Sequence, residues 1–413
     1  MYINKLCISK STGRRLGGKV VDYLIMKGVI GTKGSIYGEC SCIGIRSHLQ
    51  YYSCPCSINI LWNFGFLLAL CILVQVGTGI LLALQYTSDI NVSYYCVVNI
   101  VREVYYGWCI RYMHSSGASW IYVVMYIHLG RALYVSSYVF NTRLWLSGVL
   151  IFMLLMIIGF IGYVLTWGQM SFWGGIVITN LFNLIPWTIL FLWGGYYVSN
   201  PTLRRFYLLH FILPFLVIGT IVLHWFYLHS TLSYNPIGYY SNSFITFYPH
   251  ILIKDLQILF LIAHIYILQL FYCILSLSHT DNSLEVNGLI TPLHIVPEWY
   301  YLHLYTLLKA IPNKISGLWL FVYEMFICLW LNEVRTITTI ISLFATSWIN
   351  GNLLLSYFVC LTISLLFIGA QLPSNIFLSY GRVSFIFINL ILWSNLWFPY
   401  QPTHSVGRRL LIG

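Results

Sequence analysis

Charge is what this 413-residue chain has least of: Asp, Glu, Lys and Arg together make up 8% of it, while hydrophobic residues make up 59%. A water-soluble protein of ordinary composition carries roughly a quarter charged residues, so most of this surface faces something other than water, as the mean hydropathy of +0.80 also says. Acid is scarcer than base, ten residues against 21, for a net charge of +11. The basic residues are scattered and no recognition motif accompanies them, which argues against nucleic acid and leaves an anionic membrane face as their partner. Eleven cysteines, several inside apolar stretches, do not make a disulfide framework. Cys40–Cys42 and Cys54–Cys56 lack a second pair or a histidine pair at zinc-like spacing.

Long apolar runs fill the space that charge leaves. Eight of them, near 61–86, 115–136, 144–165, 206–228, 256–278, 315–333, 351–371 and 383–400, approach the ~20 residues that cross a hydrocarbon core of ~30 Å. Six contain no charged residue; the second carries Arg131 near its end and the sixth carries Glu324 in its middle. The predicted fold is therefore all-α and integral to a membrane, with eight transmembrane helices. With the N-terminus inside, the inner segments hold eight basic residues of the N-terminal arm plus Arg131, Arg143, Lys254, Arg335, Arg408 and Arg409. The outer segments hold only Arg102, Arg111, Arg204, Arg205, Lys309, Lys314 and Arg382. The positive-inside rule thus places both termini inside. Residues 1–60 read as a basic, loop-like arm on that side. Two long connections, 166–205 and 279–314, fall outside, and connections of that length usually build a site.

The histidines carry the chemistry. His114 and His128 share the second run, His210 and His224 the fourth, and each pair is separated by 14 residues. That spacing is ~3.9 turns, so both rings of a pair point to one face about 21 Å apart along the axis. One span separates the two helices, so they run the same way. His114 then meets His210 at the outer level and His128 meets His224 at the inner level. Two stacked haems, each ligated by two imidazoles, follow from that arrangement. There is no Cys-x-x-Cys-His, so they would be held non-covalently. Gly65 and Gly79 on the first run, and Gly148 and Gly162 on the third, repeat the 14-residue spacing. Glycine leaves a helix surface that a flat group can approach closely. Arg111, Arg131 and Arg205 stand near the histidines in sequence, placed to meet haem propionates. His264 has no matching partner and reads as a hydrogen-bonded core residue.

These residues sit in longer motifs: Trp62-Asn63-Phe64-Gly65, Arg111-Tyr112-Met113-His114 continuing to Gly117-Ala118-Ser119, and Gly162-Tyr163-Val164-Leu165. Further along come Trp167-Gly168-Gln169-Met170-Ser171-Phe172-Trp173-Gly174, Val177-Ile178-Thr179-Asn180, and Pro297-Glu298-Trp299-Tyr300 followed by Ile311-Pro312-Asn313-Lys314. Over about residues 55–400 the sequence resembles the cytochrome b family, and the equal histidine spacings suit the mitochondrial or bacterial type. The resemblance implies a dihaem four-helix bundle plus a three-helix C-terminal part: a haem-bearing domain over 61–280, then a domain over 281–413 with the outer quinol loop. It implies ubiquinol oxidation among Phe160, Tyr163, Gly175, Glu298 and Tyr305, with Glu298 taking a proton. It also implies ubiquinone reduction at an inner site using His229, Lys254 and Asp255, lined by Trp62 and Asn63. The implied partners are a Rieske iron–sulfur protein and a cytochrome c-type subunit, in a homodimeric proton-translocating complex of the mitochondrial inner membrane with both termini on the matrix side. Three positions depart from the pattern. Thr166 replaces a proline, Phe66 replaces a small polar residue, and Glu324 lies outside the site motifs and reads as a neutral or paired structural acid.

Overall fold

The computed structural model describes residues 50–135, 137–184, 186–233, 243–333 and 351–397. Most of the N-terminal arm, together with Arg335, Arg408 and Arg409, lies outside the described residues.

A helix lies at each of the eight apolar runs. They are α1 (Phe64–Ala83), α3 (Gly107–Tyr134), α4 (Thr142–Val164), α7 (Asn200–Thr231), α8 (Leu252–Tyr272), α10 (Lys314–Glu333), α11 (Gly351–Gly369) and α12 (Asn375–Trp397). Shorter ones interrupt the series, among them α2 (Ser93–Arg102), α5 (Gln169–Asn180), α6 (Pro186–Trp193) and α9 (Leu302–Ala310). Among the described residues, four helical stretches, Ile60–Ala83, Thr142–Val164, Asn200–Ser230 and Phe247–Tyr272, are long and apolar enough to cross a membrane. Within them nearly every residue is apolar, so each backbone group must be bonded inside its own segment, and the helix is the element that does this. The start of α7 follows from local chemistry: Pro201 sits in its first turn and the Thr202 hydroxyl accepts from the Ser199 N–H at 3.1 Å.

One short two-stranded ribbon accompanies the helices among the described residues. Ser53–Pro55 (β1) pairs antiparallel with Phe244–Thr246 (β2), in the register Ser53↔Thr246, Cys54↔Ile245 and Pro55↔Phe244. The end of the basic arm is thus a ribbon strand, because backbone groups outside a helix must find partners across a ladder.

Helix α1 packs along α3 and α4 packs along α7. The four together enclose a core cluster of Ile72, Ile121, Leu155, Val217 and Met125. Ile72, Ile121, Leu155 and Val217 are the midpoints of the four 14-residue intervals, one from each helix. The bundle is therefore layered, with an apolar cluster between two levels of glycine and histidine. Beyond it, α9 packs on α10, α11 and α12. Helix α9 is pinned by polar bonds: Thr306 Oγ1 donates to the Leu365 carbonyl at 2.7 Å, and Lys309 Nζ donates to the carbonyls of Gly369 at 2.7 Å and Gln371 at 2.9 Å. Arg382 Nε donates to the Ala310 carbonyl at 2.7 Å, capping α9 from α12.

Candidate functional site

Each of the four spaced glycines faces a histidine. A Cβ on Gly79 would meet His114 Cε1 at 3.1 Å, one on Gly65 would meet His128 Cε1 at 3.2 Å, and one on Gly148 would meet His224 Cε1 at 3.2 Å. A Cβ on Gly162 would overlap His210 Cε1 outright. Outer and inner levels are thus built alike, from one helix pair on each side. At the outer level the His114 and His210 ring centres are 6.2 Å apart and nearly perpendicular, at 84°. A metal gripped between two imidazoles by bonds of about 2 Å leaves ring centres roughly 6 Å apart, so this spacing suits a shared metal.

The protonation of the rings can be read from their partners. His210 Nδ1 lies 3.0 Å from the Ile158 carbonyl, which can only accept. Thr78 Oγ1 donates its single proton to the Val74 carbonyl at 2.8 Å, so at 3.0 Å it accepts from His114 Nδ1. Ser147 Oγ likewise donates to Leu144 O at 2.9 Å and accepts from His224 Nδ1 at 2.8 Å. In all three rings Nδ1 is the donor, which leaves the Nε2 lone pair for a metal. His128 differs: its Nδ1 faces Arg131 Nη2 at 3.3 Å. The Arg131 guanidinium lies 4.9 Å above the Trp62 ring, and its Nε is buried without a partner among the described residues, a spare cationic donor suited to a carboxylate of a bound group. Together the cradle of glycines, the three rings oriented through Nδ1 and this spare donor suit a haem-type group.

A cavity of about 290 Å³ joins the outer histidine level to the outer connections. His114, His210, Gly79, Gly162, Arg111, Tyr163 and Glu298 line it, as do Tyr300 and Asn282. Burial pushes the Glu298 carboxyl up to about 7, with the Arg111 guanidinium pulling the other way. Pro214 also lines the cavity; one turn beyond His210, it lacks the N–H that the His210 carbonyl would otherwise accept.

Other sequence-predicted residues lie elsewhere. Tyr305 donates its hydroxyl to the Ile295 carbonyl at 2.9 Å, Phe160 packs edge-on against Phe206 and Gly175 abuts Val164, and none of the three lines the cavity. Arg205, expected at the haem level, turns away: it bonds the Phe191 carbonyl and lies over the Phe191 ring, 5.7 Å from its centre. Its position in the first turns of α7 lets it reach the end of α6, where aromatic contact and a free carbonyl compete with the bundle interior. On the inner side, Asn63 Nδ2 donates to Asp255 Oδ1 at 2.5 Å, and Lys254 Nζ donates to the Ile58 carbonyl at 3.3 Å. His229 stacks edge-on against Trp225 at 4.6 Å. His264 bonds the Phe260 carbonyl at 2.7 Å as expected of a bonded histidine, but it lies on the exposed helix surface and not in the core.

Sequence reasoning missed Thr78, Ser147 and Asn282. Thr78 and Ser147 each precede a spaced glycine by one residue, a signal visible only once the glycines are known to face histidines. Asn282 ties the two outer connections together: Nδ2 donates to Thr166 Oγ1 at 3.2 Å and Oδ1 accepts from the Ser171 N–H at 2.9 Å. Gln169 adds to the tie, accepting from Asn287 N–H at 2.8 Å. Thr166, in place of a proline, also donates to the Tyr163 carbonyl at 2.9 Å, closing the end of α4.

Fold and site together define a helical membrane protein with imidazoles paired inside its bundle. The family model described as cytochrome b/b6/petB matches residues 49–232, and that described as cytochrome b (C-terminal)/b6/petD matches residues 285–388. Cytochrome b of Plasmodium chabaudi is 44% identical over 363 residues, covering 87% of this chain and 96% of the relative. Cytochrome b of Toxoplasma gondii is 42% identical over 344 residues, covering 83% of this chain and 93% of the relative. A solved structure titled "Hyperthermophilic respiratory Complex III" shares the fold with a TM-score of 0.78 at 24% identity, over 84% of this chain and 93% of that one. The chain belongs to the cytochrome b family, and its general role is electron transport in a membrane.

Proposed function

We propose that this chain is the core of a ubiquinol–cytochrome c reductase of the complex III type, with eight transmembrane helices. Its haem-bearing domain spans 61–280 and its C-terminal domain 281–413, and it lies in the mitochondrial inner membrane with both termini on the matrix side. Two non-covalent b-type haems are held by His114 with His210 on the outer side and His128 with His224 on the inner side, and when bound they supply a one-electron relay between the two membrane surfaces. Gly65, Gly79, Gly148 and Gly162 keep the helix surfaces clear for them, and Arg111 and Arg131 offer charge to their propionates.

The chain's own residues handle the protons. Ubiquinol entering the outer cavity loses two electrons and two protons. Glu298, beside Arg111 and Tyr163, takes one proton when it is ionised. The first electron and the second proton would go to a Rieske iron–sulfur protein, which would pass the electron to a cytochrome c-type subunit, and the other electron would cross inward through bound haem. Tyr305, through the Ile295 carbonyl, holds the backbone that leads into Glu298. On the inner side His229, Lys254 and Asp255 surround a ubiquinone and supply protons to its carbonyl oxygens. Release outside and uptake inside translocate protons, in a homodimeric complex.

The observation that carries this reading is the repeated layer of glycine against histidine, with three Nδ1 atoms acting as donors and their Nε2 lone pairs left for a metal. The experiment is haem stoichiometry on the purified complex. A reduced-minus-oxidised b-type spectrum with about two haems per chain is expected, and a colourless preparation overturns it.

A further inference from the structure

Glu324 on α10 and Asn389 on α12 are not among the residues that line the outer cavity. Asn389 Nδ2 donates to Glu324 Oε1 at 2.9 Å and to the Phe385 carbonyl at 3.0 Å. An amide nitrogen has two hydrogens, so both are used. The Phe385 carbonyl also fixes which way the amide faces, because the flipped orientation would set oxygen against oxygen. Asn389 Oδ1 is then buried with no donor among the described residues. Beside the pair, Ile327 and Ile388 are buried with Leu365, packed by Tyr323, Leu361 and Cys328. The one ion pair among the described residues is Arg204 with Asp89, so no cation is paired with Glu324.

An ionised Glu324 would be a charge among apolar side chains, held by a single amide hydrogen bond and with an orphaned acceptor oxygen as its neighbour, unfavourable on both counts. One proton removes both faults. We propose that Glu324 is a resident proton-binding site: its carboxyl is held as the neutral acid and its O–H donates to Asn389 Oδ1 while Asn389 Nδ2 donates back. The two hydrogen bonds close an acid–amide clamp between α10 and α12. Arg382 stands seven residues before Asn389, two turns away on the same face of α12. The clamp therefore holds in register the helix whose guanidinium caps α9, the short helix that carries Tyr305 beside the outer connection.

The test is infrared difference spectroscopy on the intact purified complex at neutral pH, wild type minus E324Q. The expected result is loss of one carboxylic-acid C=O band, and N389L should move that band to higher frequency as its hydrogen bond is lost. Loss of carboxylate bands in its place overturns the proposal. Thermal unfolding supplies a second readout. In E324Q the new amide both donates and accepts, so its midpoint should match wild type, whereas E324L and N389L should unfold at lower temperature. An E324Q midpoint that falls as far as that of E324L overturns the clamp. Should E324L fail to assemble, N389L is the reference for that comparison.

Discussion

Replacing Gly162 with alanine tests the architecture where it is tightest. The added Cβ overlaps His210 Cε1, with His210 Nδ1 and Nε2 at 2.9 and 3.0 Å, so the ring cannot stay where it is. Moving it breaks the 3.0 Å bond from Nδ1 to the Ile158 carbonyl, the contact that orients the ring. Overpacking costs about 1–3 kcal/mol and a lost hydrogen bond about 0.5–1.5 kcal/mol, together roughly 2–4 kcal/mol. At about 1.4 kcal/mol per tenfold, haem at the outer level should be retained on the order of 30- to 1000-fold less tightly. Gly79→Ala meets His114 Cε1 at 3.1 Å, a contact the ring can relieve by a few tenths of an ångström, so it should be far milder. The assay is pyridine-haemochrome stoichiometry together with low-temperature spectra that separate the two b-type haems. The expected outcome is loss of the outer haem alone in the Gly162 variant and near-normal content in the Gly79 variant. Two full haems in Gly162→Ala, or equal losses in both variants, would refute the reasoning.

Three further outcomes follow from the same geometry. His128→Ala should remove the inner haem and leave the outer one, read as half the b-type absorbance; unchanged haem content would count against the pairing. Glu298 should make quinol oxidation depend on pH. As a proton acceptor it must be ionised, and burial holds its proton up to about pH 7 against an ordinary 4.5, so the rate should rise through that region and the limb should vanish in Glu298→Gln. The stability effect has the opposite sign: between 4.5 and about 7 the folded chain keeps a proton that the unfolded chain releases, so this residue favours the fold less as pH rises across that window. Asn282→Ala removes the bonds to Thr166 and Ser171, and should raise the KM for quinol several-fold with haem content unchanged, measured by steady-state reduction of cytochrome c.

The periodic part of this protein is legible along the chain. Helical runs of apolar residues and 14-residue spacings are local facts, and a helix turns local spacing into direction at 3.6 residues per turn. Spacing alone therefore sets His114, His128, His210 and His224, with their four glycines, on matched faces. It says nothing of the orienting hydroxyls of Thr78 and Ser147, because a serine or threonine one residue before a glycine is unremarkable until the opposing helix is in place. Loops follow no period. Nothing in the spacing of Asn282 says that it bridges to Thr166, more than a hundred residues away, or that Ser53–Pro55 finds its strand partner at Phe244–Thr246.

Arg205 shows the same division from the other side. Helical spacing puts its backbone near His210, but a long flexible side chain can reach several places, and the carbonyl and ring of Phe191 took it. The sequence by itself determined the membrane class, the helices and the spacing of the imidazoles along each helix, because those depend on residues within one helix. Only the tertiary structure decided which ring nitrogens donate, where Arg205 points, and that Glu324 meets Asn389. Each of those is a choice between partners brought together from distant parts of the chain, made by packing and by the need to satisfy every buried polar atom.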